Sequence, residues 1–569
     1  MIVERVFPAV SWLKSYNRVQ FGQDATAAFI VTMLLIPQSL AYAMLAGVPP
    51  EVGLYSSILP LVLYALFGTS TSLSVGPVAV ASLMTATSLA AIAEQGTASY
   101  LTGAITLALL SGVILLAMGV MKLGMITNLL SHSVISGFIS ASGIIIALSQ
   151  LKHIFGVQAH GDNVVTQLLS MAGNIGQFNA MTCAVGVSVV AFLLLARRYA
   201  KRSLMLIKVP ESDAASLAKT APILGVLASL ALVYVFDLQA YGVAITGDIP
   251  AGLPHFGLSL PSIELVKSLA LPALMISVIG YVESISVGKT LGAKRREKVQ
   301  PNQELIGLGA ANIASGLSGG FPVTGGFSRS VVNFDAGAVT QLAGVMTAIG
   351  IMIASLVLTP VLFFLPKATL AATIIVAVMT LIDFSILKKT WFFSRSDFYA
   401  VLATVVITLL FGVEVGVASG VGLSVLLHLS RTSRPHVAEV GLIEGSEHFR
   451  NVKRYDVKTA ANLLCLRPDE SLFFVNAAFL EDSILESINQ RPAITHVVIQ
   501  CSAVNDIDFS ALEMLESLNT ELQAANISLS LSEVKGPVMD SLEFSGFLQH
   551  LSGKVFLSQY QAFKTLANG

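Results

Sequence analysis

The sequence predicts a polytopic α-helical membrane protein that ends in a small α/β domain. Three observations carry that expectation. Hydrophobic residues make up 54% of the 569-residue chain and charged residues only 12%, against about 25% charged in a typical soluble protein. From roughly residue 22 to residue 430, apolar runs follow one another, each long enough at about 17–25 residues to cross a bilayer. After Arg434 the runs shorten and charge returns. The expected division is an N-terminal surface segment over 1–22, a membrane domain over 23–430 and a domain of ordinary size over 437–569.

No apolar stretch with a cleavage site precedes about residue 24, so no signal peptide is expected. Phe7, Trp12, Tyr16 and Phe21, interleaved with Arg5, Lys14 and Arg18, suit a segment lying on the membrane surface. The apolar runs then number roughly fourteen, two of them short and broken by Gly and Pro. Basic residues collect in alternate loops: Arg197, Arg198, Lys201, Arg202 and Lys208; Lys294, Arg295, Arg296 and Lys298; Lys388, Lys389 and Arg395; Arg431 and Arg434. The intervening loops around 153–178, 237–265 and 359–367 hold few. By the positive-inside rule both termini and the C-terminal domain are expected in the cytoplasm. Compact loops and modest length fit a bacterial inner membrane.

A net charge of −1 gives no electrostatic basis for nucleic-acid binding. Cys183, Cys465 and Cys501 are too far apart in sequence for a metal or disulfide pattern, and packing is their expected role. Gly288-Lys289-Thr290 resembles the end of a phosphate loop, but Glu283 stands where the earlier glycine belongs. Gly307-Leu308-Gly309 lacks its third glycine. The sequence calls for no cofactor, no metal and no enzymatic constellation.

The two breaks are informative. Ser74-Val75-Gly76-Pro77 precedes an apolar helix starting at Val78 and short before Glu94. Gly319-Gly320-Phe321-Pro322-Val323-Thr324-Gly325-Gly326 precedes Phe327-Ser328-Arg329-Ser330. Irregular backbone at membrane depth is tolerated where it is buried in protein or lines a cavity. A helix starting there presents unpaired N–H groups and a positive dipole end, and two such ends facing each other make an anion site. Gly76 and Gly326 are separated by nearly the same stretch of chain as Gln38 and Glu283, which points to an inverted repeat with its site at the repeat interface. The bland alternative is that Gly and Pro merely permit close helix packing.

Arg329 is costly at that depth and needs a partner or a wet cavity. Asp335 is six residues on, about 240° around a helix, and so faces elsewhere. A guanidinium suits an oxyanion by bidentate contact; the alternative is an ion pair with another helix. Glu283 either snorkels toward the surface near Lys289 or takes up a proton during transport, desolvation favouring its neutral form. Val287, one turn on, offers no oxygen to a cation, which favours H⁺ over Na⁺. Gln38 and Tyr42, four residues apart, share a helix face. They serve either as hydrogen-bond donors to an anion or as interhelical glue.

These residues resemble a known family. Ile36-Pro37-Gln38-Ser39-Leu40-Ala41-Tyr42-Ala43, Pro49-Pro50-Glu51-Val52-Gly53-Leu54-Tyr55-Ser56-Ser57, Phe67-Gly68-Thr69-Ser70 and Ser74-Val75-Gly76-Pro77 are similar to the sulfate permease (SulP, SLC26-type) signature. Gly247-Asp248-Ile249-Pro250-Ala251-Gly252-Leu253-Pro254, Val282-Glu283-Ser284 and Gly325-Gly326-Phe327-Ser328-Arg329-Ser330 continue it. The resemblance implies fourteen segments in two inverted halves of seven, a core domain moving against a gate domain, and a homodimer in the lipid bilayer. It implies an anion held between the half-helix ends, by Val78 and Ala79 on one and by Phe327, Ser328 and Arg329 on the other. Gln38 and Tyr42 would contribute from the first helix, and Glu283 stands where proton-coupled relatives carry their acid. Family substrates include sulfate, bicarbonate, chloride and dicarboxylates.

The C-terminal domain reads as strand (Leu472-Phe473-Phe474-Val475), helix, strand (His496-Val497-Val498-Ile499), helix, strand (Ile527-Ser528-Leu529-Ser530), helix, then Lys554-Val555-Phe556 and a last helix, a βαβ-type order. It resembles a STAS domain, a module that implies a cytoplasmic protein partner. Asp506-Ile507-Asp508-Phe509-Ser510-Ala511-Leu512 matches its signature loop, with Ser510 at the position phosphorylated in some relatives. Ser510 and Glu513 also have capping-box spacing, and the bulky Phe509 departs from the family loop. The expectation is secondary active uptake of a small oxyanion, with sulfate leading, coupled to H⁺. Alternatives are a bicarbonate or dicarboxylate carrier, Na⁺-coupled or exchanging, and an anion sensor that signals through the STAS domain.

Overall fold

The structure, a computed structural model, describes residues 7–567 except 91, 129–131, 160–163, 207–220, 251, 255–256 and 258–260. Arg5 and Lys208 lie outside the described residues, as does Ala251. The chain divides into two compact units, Met1–Ser424 and Val425–Gly569.

The first unit opens with α1 (Ala9–Lys14) and the long α2 (Arg18–Ala46), then α3 (Pro50–Tyr55), α4 (Leu59–Phe67), β1 (Val75–Gly76) and α5 (Ala79–Ala90). Next come α6 (Ala98–Val120), α7 (His132–Phe155), α8 (Val164–Gly173), α9 (Ala180–Leu206) and α10 (Ala221–Val235). A second series follows: α11 (Ile263–Arg295), α12 (Pro301–Leu317), β2 (Thr324–Gly325), α13 (Phe327–Asp335), α14 (Leu342–Val357), α15 (Thr359–Leu362) and α16 (Lys367–Val378). It closes with α17 (Ser385–Phe393), α18 (Arg395–Phe411) and α19 (Val413–Ser433). A long helix, a two-residue strand and a short helix thus occur in the same order in both series.

Local chemistry explains the boundaries that matter. α2 begins at Arg18, inside the stretch expected to lie on the membrane surface, because Asn17 caps it. The Asn17 side chain accepts from the Val19 and Gln20 N–H groups, and Gln20 reaches back to the Asn17 N–H at 3.0 Å, a reciprocal capping box. Gly47, at φ 78°, ends the helix in the left-handed region.

Among the described residues, six helical spans are long and apolar enough to cross a membrane, and five more apolar helices have 10–17 residues. Length alone therefore does not return the expected fourteen. Large apolar side chains stand exposed on α9 (Val187, Leu195) and α10 (Leu224, Leu232), as a lipid-facing surface requires. Helix contacts fall into two sets. In one, α6 packs on α11 and α12, α12 on α4, and α2 on α3, α5, α13 and α14. In the other, α7 packs on α16 and α18, and α9 on α10 and α16. Contacts of α2 with α16 and of α5 with α7 join the sets.

The second unit carries a six-stranded sheet in the order β4-β3-β5-β6-β7-β8. Its strands are β3 (Val437–Leu442), β4 (Phe449–Asn451), β5 (Leu463–Pro468), β6 (His496–Gln500), β7 (Ser528–Ser532) and β8 (Val555–Phe556). β5 to β8 run parallel, while β3 is antiparallel to β4 and β5. Val497 and Ile499 face a core that takes in Leu480, Leu515 and Leu518, while Val498 faces Phe556 and Phe563, the period-two alternation of a sheet covered on both sides.

The expected strand at Leu472–Val475 is corrected. Leu472 makes a single bridge to Ile507, the next residues form a turn, and Phe474 is 70% exposed. The strand is β5, whose apolar run Leu463-Leu464-Cys465-Leu466 fills the slot beside β6. Burial pushes the Cys465 and Cys501 thiols up to about 12, which agrees with a packing role.

Candidate functional site

β1 and β2 form an antiparallel pair, Val75 opposite Gly325 and Gly76 opposite Thr324. The Gly326 N–H extends it by donating to the Ser74 carbonyl at 3.2 Å. The pairing satisfies part of the irregular backbone that the Gly/Pro breaks leave open. Side chains from the flanking helices satisfy more. Ser284 Oγ accepts from the Gly325 N–H at 2.8 Å, and Ser330 Oγ accepts from the Ser74 N–H at 3.0 Å. Asn312 pairs both ways with Val323, accepting at 2.9 Å and donating at 2.8 Å. Each donor or acceptor left unmatched here would cost about 1–3 kcal/mol.

Two buried carboxylates anchor the segment. Glu304 of α12, wholly buried, accepts from Tyr64 Oη at 2.7 Å, Thr69 N at 2.7 Å, Thr69 Oγ1 at 2.6 Å and Ser70 N at 3.1 Å. It thereby holds the loop that leads into β1. Asp24 of α2, also wholly buried, accepts from Val339 N at 2.7 Å, Thr340 N at 3.1 Å, Thr340 Oγ1 at 2.5 Å and Tyr16 Oη at 3.2 Å. It holds the loop that leaves α13. At the C-terminal end of α13, Arg295 donates to the Phe334 carbonyl at 3.1 Å and also to the Ala338 carbonyl. A cation there complements the helix dipole.

The N-terminal ends of α5 and α13 meet at one cavity of about 430 Å³. Gln38, Tyr42, Val78, Ala79, Glu283, Phe327, Ser328 and Arg329 all line it, so every residue expected at the membrane site is brought together. Val80, Gly326, Ala377, Val378, Thr380 and Leu381 complete the wall. The last four lie at the end of α16. They sit in an apolar run with no charge or break to mark them, and sequence reasoning missed them.

Arg329 is 1% exposed, and no carboxylate pairs with it among the described residues. Nη2 donates weakly to the Thr324 carbonyl at 3.4 Å, and Nη1 has no hydrogen-bond partner. The guanidinium lies against the paired strands because two glycines leave room for it. A Cβ on Gly76 would come within 2.8 Å of Nη1, and one on Gly326 within 2.9 Å of Nε. Gln38 Oε1 is buried without a partner, and neither Gln38 nor Tyr42 hydrogen-bonds to another helix among the described residues. Glu283 lines the cavity instead of reaching for the surface, and its other side borders an apolar cavity with Phe138 and Val282.

A vestibule of about 1250 Å³ shares Gln38, Phe327, Ser328, Ala377 and Thr380 with the cavity and extends to Arg197. A second cavity, of about 910 Å³, lies beyond Met44, Leu45 and Leu83 and shares no lining residue with the first.

This arrangement can hold a small anion, with a guanidinium and two helix N-termini as its positive elements. A family model described as "Sulfate permease family" matches residues 21–404. The chain belongs to the sulfate permease family. A STAS domain model matches residues 454–562 of the same permease. It is 34% identical over 566 residues to "Sulfate transporter 4.1, chloroplastic" of Arabidopsis thaliana, covering 97% of this chain and 81% of that one. It is also 34% identical over 547 residues to a probable sulfate transporter of Mycobacterium tuberculosis (strain CDC 1551 / Oshkosh), covering 96% and 95%. Among solved structures, SLC26A9 superposes with a TM-score of 0.90 at 23% identity, covering 99% of this chain and 93% of that one. The transmembrane domain of a cyanobacterium bicarbonate transporter, BicA, gives 0.60 at 22% identity, covering 72% and 99%. The permease is thus a multi-pass membrane anion transporter with a C-terminal STAS domain.

In that domain Ser510 is exposed but does not cap a helix. α20 (Ala477–Gln490) precedes α21 (Phe509–Ala524), whose N-cap is Asp508, accepting from the Ala511 N–H at 2.9 Å. The expected Ser510/Glu513 capping box is corrected. The second Asp508 oxygen also holds the Phe474 N–H at 2.8 Å, which positions the helix start two residues earlier.

Proposed function

We propose that the permease takes up sulfate by alternating access, coupled to protons. In this reading a sulfate is held between the ends of α5 and α13 by Arg329, by the free N–H groups of Val78, Ala79, Phe327 and Ser328, and by the side chains of Gln38, Tyr42 and Ser328. Glu283, on the same cavity, takes up the coupling proton. Proton and sulfate load together in this reading because each offsets the charge that the other brings into the cavity.

The observation that carries this reading is the buried, unpartnered Nη1 of Arg329 beside Glu283 in one cavity. The two relatives that are 34% identical to the chain carry the names of a sulfate transporter and a probable sulfate transporter, which supports sulfate among oxyanions. Continuity of the site with the Arg197 vestibule, and separation from the opposite cavity, supports an inward-open state in which the α7–α9–α10–α16–α18 set moves against the rest. The basic loops support cytoplasmic termini and an inner-membrane location. A homodimer and phosphorylation of Ser510 complete the proposal.

The test is radiolabelled sulfate uptake into proteoliposomes under an inward proton gradient, for wild type, Glu283→Gln and Arg329→Ala. Gradient-driven accumulation in the wild type that both variants lose is the expected result. Binding without accumulation would replace transport by sensing. Uptake unmoved by the gradient would remove Glu283 from its role.

A further inference from the structure

The cavity on the far side of the site has its own chemistry. It is lined on one side by the C-terminal parts of α2 and α5, through Leu45 and Thr87, and on the other by the end of α7, through Ser149, Gln150, Lys152 and His153. Helical rise puts Thr87 about 10 Å beyond Val80 of the central site, on the side away from the Arg197 vestibule. Its wall is polar, and no carboxylate lines it among the described residues. Lys152 is half-buried there, and its only hydrogen bond among the described residues is a long one, 3.5 Å, to the Ala159 carbonyl. Gln150 is 3% exposed, with its amide turned to Ser149 Oγ at 3.1 Å.

A half-buried ammonium with amide and hydroxyl groups around it, and no acid beside it among the described residues, has the surroundings of an anion ligand rather than of an ion-pair partner. We propose that this cavity is a second anion site, at which Lys152 captures one sulfate-class oxyanion before it reaches Arg329. The inference rests on the reading of the central cavity given above. It assigns the outer half of the pathway a binding step of its own. An anion held at Lys152 would be handed on when the two helix sets move and open the barrier formed by Leu83.

Equilibrium dialysis of the purified full chain against radiolabelled sulfate tests this with wild type, Arg329→Ala, Lys152→Gln and the double variant. The expected result is two sulfates per chain for the wild type, one for each single variant and none for the double, with Lys152→Arg restoring two. In proteoliposomes, Lys152→Gln should raise the apparent KM for sulfate on the far side about tenfold at unchanged kcat. No binding by Arg329→Ala, or undiminished binding by Lys152→Gln, overturns the outer site, and the first of these needs no substitution at Lys152. Full binding by Arg329→Ala with loss in Lys152→Gln would instead sink the central assignment and leave the outer one standing. A wild type that binds no sulfate overturns both.

Discussion

α5 and α13 each begin after one of two paired two-residue strands and bring their N-terminal ends to one cavity. Yet α5 presents only apolar side chains there, Val78, Ala79 and Val80, while α13 presents Ser328 and Arg329. The difference shows how one backbone device is given a charge without being made unstable. Two buried guanidiniums facing each other would repel and would double a desolvation cost already estimated at about 2.5 kcal/mol or more. One suffices, and the partner helix contributes N–H groups and close packing. The anchors are exchanged between the halves as well. Glu304 of the second series holds the entry to α5, and Asp24 of the first holds the exit from α13.

Substitutions can break this asymmetry, and the largest effect is expected at the charge. Arg329→Ala should weaken sulfate binding at the central site by about a hundredfold, near 2.7 kcal/mol. Ala79→Ser, at the corresponding place on α5, should change it by less than about twofold; equal losses at the two positions would show that the helices share the charge's work. The next effect concerns the anchors. Glu304→Gln and Asp24→Asn each turn an amide donor toward N–H and O–H groups, and each should destabilise by about 2 kcal/mol, read as a lowered melting temperature in detergent. If either is silent, the loop it holds is not under tension from its half-helix.

Smaller again are the glycines. Gly76→Ala and Gly326→Ala should each lower sulfate affinity about tenfold, near 1.4 kcal/mol, by pushing the guanidinium off the strands without altering the charge. Gly326→Ala should be the worse of the two, since its Cβ also meets Val78 Cγ1 at 3.1 Å. The smallest effect is expected at the hydroxyls. Ser284→Ala and Ser330→Ala each leave one strand N–H unmatched, for about 1 kcal/mol, and should lower stability while leaving the KM for sulfate unchanged.

Much of this site was legible in the chain because its signals are expensive ones. A Gly/Pro break and an arginine in an apolar stretch have few cheap explanations, so Gly76, Gly326 and Arg329 marked the place, and Gln38 and Glu283 at similar offsets marked its partners. Cheap signals misled. Ser510 and Glu513 have capping-box spacing, but Asp508 outcompetes them because its second oxygen also ties down Phe474. Phe473 and Phe474 have strand propensity, yet Leu463–Pro468 already occupies the sheet position. Ala377, Val378 and Leu381 carried no signal, since an apolar side chain facing a cavity looks the same in sequence as one facing lipid.

By itself the sequence determined the membrane character, the two broken helices and the charge placed between them, because hydropathy, backbone freedom and the cost of burying a cation are properties of short stretches. Which halves anchor each other, which cavity connects to the site, and which polar groups gather around Lys152 were decided only by the tertiary structure. Those facts depend on side chains hundreds of residues apart meeting at hydrogen-bond distance, and no local pattern encodes that meeting.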